Sequence, residues 1–163
     1  MSLLPILHHP DPRLRKKATP ITTFGAEMDT LANNMLETMY AAPGIGLAAT
    51  QVDVHKRLIV VDVSNDKTEP HVLLNPQLTL HGNRIRGEEG CLSVPDIYDA
   101  VERAERVDVL AQDPFGQTIE MSVEGMLAIC IQHECDHLDG KLFVDYLSSL
   151  KRDRILKKLK QAK

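Results

Sequence analysis

Apolar positions along the chain change their period several times, and each change marks an element. Met28, Leu31, Met35, Leu36 and Met39 recur at steps of three and four residues. That spacing lines one face of a helix, so residues 26–41 are predicted to be amphipathic and helical, ended by Pro43 and Gly44. Leu58–Val63 and His71–Leu80 are rich in Val, Leu and Ile and are interrupted by Asn65, Asp66 and Pro76, which predicts short strands. Arg106–Ala111 and Gln117–Val123 alternate apolar and polar residues around Asp113, Pro114 and Gly116, as a hairpin would. Ser122 offers an N-cap, Glu124 suits the positive end of a helix and Gly140 a stop, so a second helix is predicted over residues 123–138. Its first half is apolar on nearly every side, which predicts packing on all faces. Ser148–Lys163 closes the chain as another amphipathic helix, with Leu147, Leu150, Ile155 and Leu159 on one side and seven Lys or Arg in the last thirteen residues.

These elements describe an α+β fold in which antiparallel strands pack around a central buried helix, with further helices toward the N- and C-terminal ends. The 163 residues contain no repeat, low-complexity stretch or linker, so one domain spanning 1–163 is expected, residues 148–163 forming its basic C-terminal helix.

Composition narrows the function classes. With 43% hydrophobic and 26% charged residues the chain is not of disordered type, and a net charge of −4 excludes the broad basic field of a dedicated DNA binder. The longest apolar run, Met126–Ile131, falls far short of the roughly 18 residues of a membrane span. Met1–Leu7 lacks a positive leader and a small-residue cleavage site. A soluble, cytoplasmic, monomeric protein is expected, and its three cysteines are read as reduced thiols rather than a disulfide framework.

The chemistry concentrates in the second half of the 123–138 helix, where His133-Glu134-Cys135-Asp136-His137 spells H-E-x-x-H. Residues four apart share a helix face, so both imidazoles can hold one ion while Glu134, about 100° around, reaches the open coordination side. A solvated helix that merely carries two histidines is the alternative. It fits poorly with burial, because unpartnered His, Glu and Asp in a core would each cost about several kcal/mol. A catalytic metal needs a third protein ligand. Cys135 lies about 200° from His133 and faces away; Cys130 would stretch the ligands along roughly 10 Å of one helix. Cys91, in the polar Glu88-Glu89-Gly90-Cys91-Leu92-Ser93 segment, is favoured over Cys130. Gly44-Ile45-Gly46-Leu47-Ala48-Ala49 matches G-x-G-x-x-A, but it follows a helix and precedes a strand, the wrong context for a dinucleotide site.

Taken together, Gly44-Ile45-Gly46-Leu47-Ala48-Ala49-Thr50-Gln51, Glu89-Gly90-Cys91-Leu92-Ser93 and Gln132-His133-Glu134-Cys135-Asp136-His137-Leu138 resemble, in order and spacing, the three motifs of bacterial peptide deformylases of type 1. The likeness runs from His8-Pro10-Asp11-Arg13-Leu14-Arg15 to the last helix. It implies a hydrolase that removes the formyl group from the N-terminal formylmethionine of new proteins. It implies Cys91, His133 and His137 as ligands of one divalent metal, Fe2+ in the cell with Zn2+, Ni2+ or Co2+ able to substitute. Glu134 is then the general base and acid, and the Gln51 amide and Leu92 backbone N–H stabilise the oxyanion. Ile45, Met126, Ile129 and Cys130 would line the methionine pocket, Gly46 and Gly90 would bond the peptide backbone, and Glu89, grouped with these substrate-binding residues, would pair with Arg103 to support the ligand strand, a pair worth little at the surface. Formylmethionyl nascent peptides are the implied partners, and the basic C-terminal helix a contact for the ribosome. Tyr98 stands where many relatives carry Arg, and Cys135 where Met, Leu or Ile is usual. A metallopeptidase or a structural zinc protein are the competing classes; the first commonly takes its third ligand downstream of the helix, and the second would have little use for Glu134.

Overall fold

A computed structural model describes residues 2–161. Its elements in chain order are α1 (Ala26–Ala41), β1 (Gly46–Ala48), β2 (Leu58–Val61), β3 (His71–Cys91), β4 (Val94–Gln112), β5 (Thr118–Glu124), α2 (Gly125–Leu138) and α3 (Ser149–Gln161). Short 3-10 turns lie at Pro12–Arg15, Ala49–Val52 and Phe143–Tyr146. The strands form one sheet in the order β1-β2-β3-β4-β5, every neighbouring pair antiparallel. Among the described residues no helix is long and apolar enough to cross a membrane.

The run Leu58-Ile59-Val60-Val61 is buried at every position because both faces of β2 are covered. Leu58 and Val60 pack with Met28, Ala32, Met35 and Met39 of α1. Ile59 and Val61 point the other way, into a cluster with Ala128, Ile131 and Leu138 of α2. A third cluster joins Val94, Ile97 and Val101 of β4 to Phe143, Leu147 and the α3 residues Ile155 and Leu159. The sheet therefore separates α1 from α2, and α2 is enclosed between β2, β4 and the segment that follows it.

The first helix lies where its apolar period puts it, and β4 and β5 form the expected hairpin in the register Val109↔Met121. Three expectations are corrected. β3 and β4 run for 21 and 19 residues, well beyond the stretches 71–80 and 106–111. Their outer halves form a ribbon whose β3 side is mostly exposed, and register shifts between His81 and Arg84 and between Gly90 and Cys91 break the two-residue alternation. Nothing in a periodic reading survives such a phase change.

Second, α2 starts at Gly125 and not at 123, because pairing with β4 carries β5 through Val123 and Glu124. Ser122 does not cap the helix; its hydroxyl donates to Asp108 at 2.7 Å. Third, the first turn of α2 is not packed on all faces. Met126 is 57% exposed, and continuous burial begins only at Cys130. This open turn forms one rim of a cleft.

The C-terminal helix spans Ser149–Gln161, the expected residues 162 and 163 lying outside the described ones. Ile155 and Leu159 bury its apolar side while Leu150 is 59% exposed and the Lys and Arg face outward. Deleting residues 150–163 is therefore expected to remove two buried aliphatic side chains and destabilise the fold by about 3 to 6 kcal/mol. Equilibrium unfolding in urea checks this; an unchanged midpoint would contradict the packing described.

Candidate active site

Helix geometry places His133 and His137 one turn apart on the buried face of α2, their Nε2 atoms 3.3 Å from one another. Cys91, the last residue of β3, brings its Sγ to 3.3 Å from His137 Nε2. One donor atom from each of the three lies within 4.8 Å of the others. Roughly 3.3 to 3.6 Å is the edge expected between nitrogen and sulfur donors arranged tetrahedrally at zinc-like bond lengths. A thiol and two imidazoles at that spacing fit one divalent first-row metal.

His133 is held from behind through its ring, and His137 through its backbone. His133 Nδ1 lies 2.8 Å from Glu89 Oε1, which leaves Nε2 facing the group. The His133 ring stacks on Phe143, centroids 6.2 Å apart and planes at 28°. Thr50 Oγ1 donates to the His137 carbonyl at 3.2 Å, tying the end of α2 to the Ala49–Val52 turn. Glu89 itself is gripped by Arg103, whose Nε and Nη2 donate to its two oxygens at 2.8 and 2.9 Å. Burial pushes the Glu89 carboxyl up, but the bonds from Arg103 and His133 outweigh it and bring it down to about 2. The expected Glu89–Arg103 pair thus exists, and it is buried rather than superficial, with Arg103 5% and Glu89 8% exposed. Glu89 borders the cleft, but its carboxylate is engaged by His133 and Arg103.

Glu134 is different. It is 4% exposed, and among the described residues its Oε1 has no hydrogen-bond partner. Burial pushes its carboxyl up to about 7, only partly countered by His133. Its other oxygen lies so close to Gly46 that a side chain at this position would collide with it, which favours glycine there. Gln51 accepts from the Ala48 N–H at 2.9 Å, and its Nε2 donates to Ser93 Oγ at 3.0 Å while lying 3.5 Å from Cys91 Sγ. A loop-fixing role and a place beside the ligand group are therefore combined in one side chain.

Of these groups Gln51, Glu89, Cys91, His133 and Glu134 line a cleft of about 770 Å³. Ile45, Gly46, Gly90, Leu92, Met126, Ile129 and Cys130 all border it, as does Tyr98. The Tyr98 ring lies over Gly90, its cross-strand partner. Cys130 stays apart from the ligand group; its thiol donates to the Ile45 carbonyl at 3.6 Å, and burial pushes it well above the ordinary thiol range. Cys135 packs against the core on the far side of α2, its thiol pushed up to about 12 by burial.

Several contributors escaped the sequence reading. Gln132 uses its side-chain amide as a strand would, accepting from Ala104 N–H at 3.0 Å and donating to Ala104 C=O at 2.8 Å. Ser93 accepts from Gln51, Phe143 stacks on His133, and Asp136 accepts from Arg103 and Tyr146. The available signal was a Gln beside His133 in a helix predicted to be buried, where an amide must find partners.

Comparison with known proteins accords with this geometry. The polypeptide deformylase family model matches residues 3–153. Peptide deformylases of Hahella chejuensis and Azotobacter vinelandii are 57% and 58% identical over 162 residues, covering 99% of this chain and 96% of each relative. The crystal structure of a peptide deformylase from Legionella pneumophila superposes with a TM-score of 0.94 at 51% identity, covering 98% of this chain and 95% of that one. That of the Ehrlichia chaffeensis enzyme in complex with actinonin gives 0.96 at 37% identity, covering 100% and 99%. With two donors from the H-E-x-x-H helix meeting a third from the end of β3, and this likeness over nearly its whole length, the chain belongs to the peptide deformylase family.

Proposed function

We propose that the chain works as a single catalytic unit in the cytoplasm, as a monomer, and hydrolyses the formyl amide of formylmethionyl nascent peptides at the Cys91–His133–His137 group. The observation that carries this reading is the Glu134 carboxyl, buried in the cleft lining beside the three-donor group with Oε1 uncommitted among the described residues. A free carboxyl so placed can accept and return a proton, which is what amide hydrolysis asks of its general base and acid. A structural zinc site would need a fourth protein ligand; among the described residues the donor group has three.

A bound divalent cation supplies Lewis acidity that activates water and polarises the formyl oxygen. The donor set suits Fe2+, and equally Zn2+, Ni2+ or Co2+; Fe2+ is our assignment for the cell, from the family. Glu134 takes the proton of the attacking water and passes it to the methionine nitrogen as the C–N bond breaks, so that formate and a free amine leave. The Gln51 amide, pinned by Ala48 and Ser93, would meet the charge that develops on the formyl oxygen together with the Leu92 N–H, as the family implies. Ile45, Met126, Ile129 and Cys130 give the methionine side chain an apolar pocket. Gly46 and Gly90 hold the peptide backbone. Glu89 acts on the substrate only indirectly, by orienting His133. On α3 the exposed Lys and Arg are proposed to meet ribosomal RNA, with Ile155 and Leu159 anchoring the helix.

Iron-loaded protein kept from oxygen is expected to release formate from a short formyl-Met peptide, and Glu134→Ala to retain the metal while losing about 10²- to 10⁴-fold in turnover. No formate from the fully metallated protein would refute the activity. Cys91→Ala should abolish tight metal binding and Cys130→Ala should leave it intact, measured as metal per chain after dialysis; the opposite pattern would displace Cys91 from the ligand set. Because deletion of α3 damages the core, the ribosome contact is better tested by reversing Arg154, Lys157 and Lys158 to Glu together. Ribosome cosedimentation should drop about tenfold with the unfolding midpoint preserved, and undiminished cosedimentation would remove this role.

A further inference from the structure

Behind the His133 imidazole runs a continuous line of side chains that leaves the cleft altogether. His133 Nδ1 meets Glu89 at 2.8 Å and Glu89 is held by the Arg103 fork. The third edge of that guanidinium, Nη1, donates to Asp136 Oδ2 at 2.5 Å. Asp136 sits one turn after His133 on α2, so the chain of contacts closes on itself: helix to Glu89, to Arg103, and back to the same helix. A closed ring of this kind fixes the rotation of the imidazole relative to its own backbone, which a single Glu89 contact would not do. Asp136 Oδ2 also accepts from the Tyr146 hydroxyl at 2.7 Å, and the Tyr146 ring lies 5.1 Å beneath the Arg103 guanidinium. Tyr146 is 48% exposed, sits outside the cleft and belongs to the Phe143–Tyr146 turn, whose first residue stacks on His133.

We propose that Tyr146 is a positioning residue for the metal site: its hydroxyl fixes the Asp136 carboxylate, Asp136 fixes Arg103, and through Glu89 the setting of His133 depends on a side chain at the protein surface. Its ring also shields the Arg103–Asp136 pair from water, which strengthens a charge-assisted bond. The turn after α2 thereby controls the same imidazole twice, by stacking at Phe143 and by hydrogen bonding at Tyr146. The inference rests on the metal reading given above.

Its test uses the full-length apo protein titrated with Zn2+ against a chromophoric chelator. Wild type should bind one ion per chain and Cys91→Ala should not bind tightly; failure of this control would overturn the metal reading and the proposal with it, whereas the Tyr146 variants below test the proposal alone. Tyr146→Phe keeps the ring and removes only the hydroxyl. It is expected to weaken Zn2+ binding about three- to tenfold, less than the roughly 10- to 100-fold typical of a ligand's immediate partner, with the melting temperature of the apo protein unchanged. Asp136→Asn should weaken binding about tenfold, and adding Tyr146→Phe to it should cause no further loss, as expected when one residue acts through the other. An affinity untouched by Tyr146→Phe, a loss that adds in full to that of Asp136→Asn, or a loss matched by a fall in apo stability would each overturn the proposal.

Discussion

The Glu89–Arg103 pair anchors the polar matching of His133, the first of two imidazoles that one helix carries into the interior beside the Glu134 carboxyl. Taking two charges out of water costs several kcal/mol for each ion, and only good geometry with further hydrogen bonds offsets it. Here the guanidinium fork meets both Glu89 oxygens, its remaining edge meets Asp136, and Glu89 has His133 as a second partner. Removing either member would leave a buried charge uncompensated. The length of β3 and β4 follows from this demand, since Glu89 lies near the end of one strand and Arg103 in the middle of the other, and both must reach α2.

The same helix also divides the cleft. Its exposed first turn offers Met126 and Ile129 as an apolar wall, and one turn later the wall becomes Cys130, His133 and Glu134. An apolar side chain bound at one end would thus set its amide against the polar end without any moving part. Gly46 sharpens the junction, because only a residue without Cβ lets β1 approach the Glu134 carboxyl so closely. Among the described residues Glu134 Oε1 has no competing partner, which keeps this carboxyl available while Glu89 and Gln51 beside it are engaged.

Much of this organisation was legible in advance, though unevenly. The period of α1 and the β4–β5 alternation were visible because each element buries one face throughout its length. The outer ribbon was not, because its β3 strand exposes most of its residues and bulges shift its phase, so no apolar rhythm marks it. The start of α2 was misplaced for a related reason: Ser122 has the side chain of a cap, but pairing of Val123 with Val107 keeps the backbone extended for two more residues.

The sequence by itself determined that His133, Glu134 and His137 share a helix, since a four-residue spacing has only one consequence on an α-helix. It also narrowed the third donor to a small set of cysteines and, through three spaced motifs, the family. What only the tertiary structure decided was how residues far apart in the chain meet: Cys91 beside His137, Gln51 against Ser93, Arg103 between Glu89 and Asp136, Tyr146 behind them. Spacing along a chain reports on neighbours within one element, whereas burial and cross-element contacts depend on strand register and helix packing. Whether Glu89 and Arg103 form a weak surface pair or the buried anchor of a metal site is therefore a property of the fold, and the two readings carry opposite energetic weight.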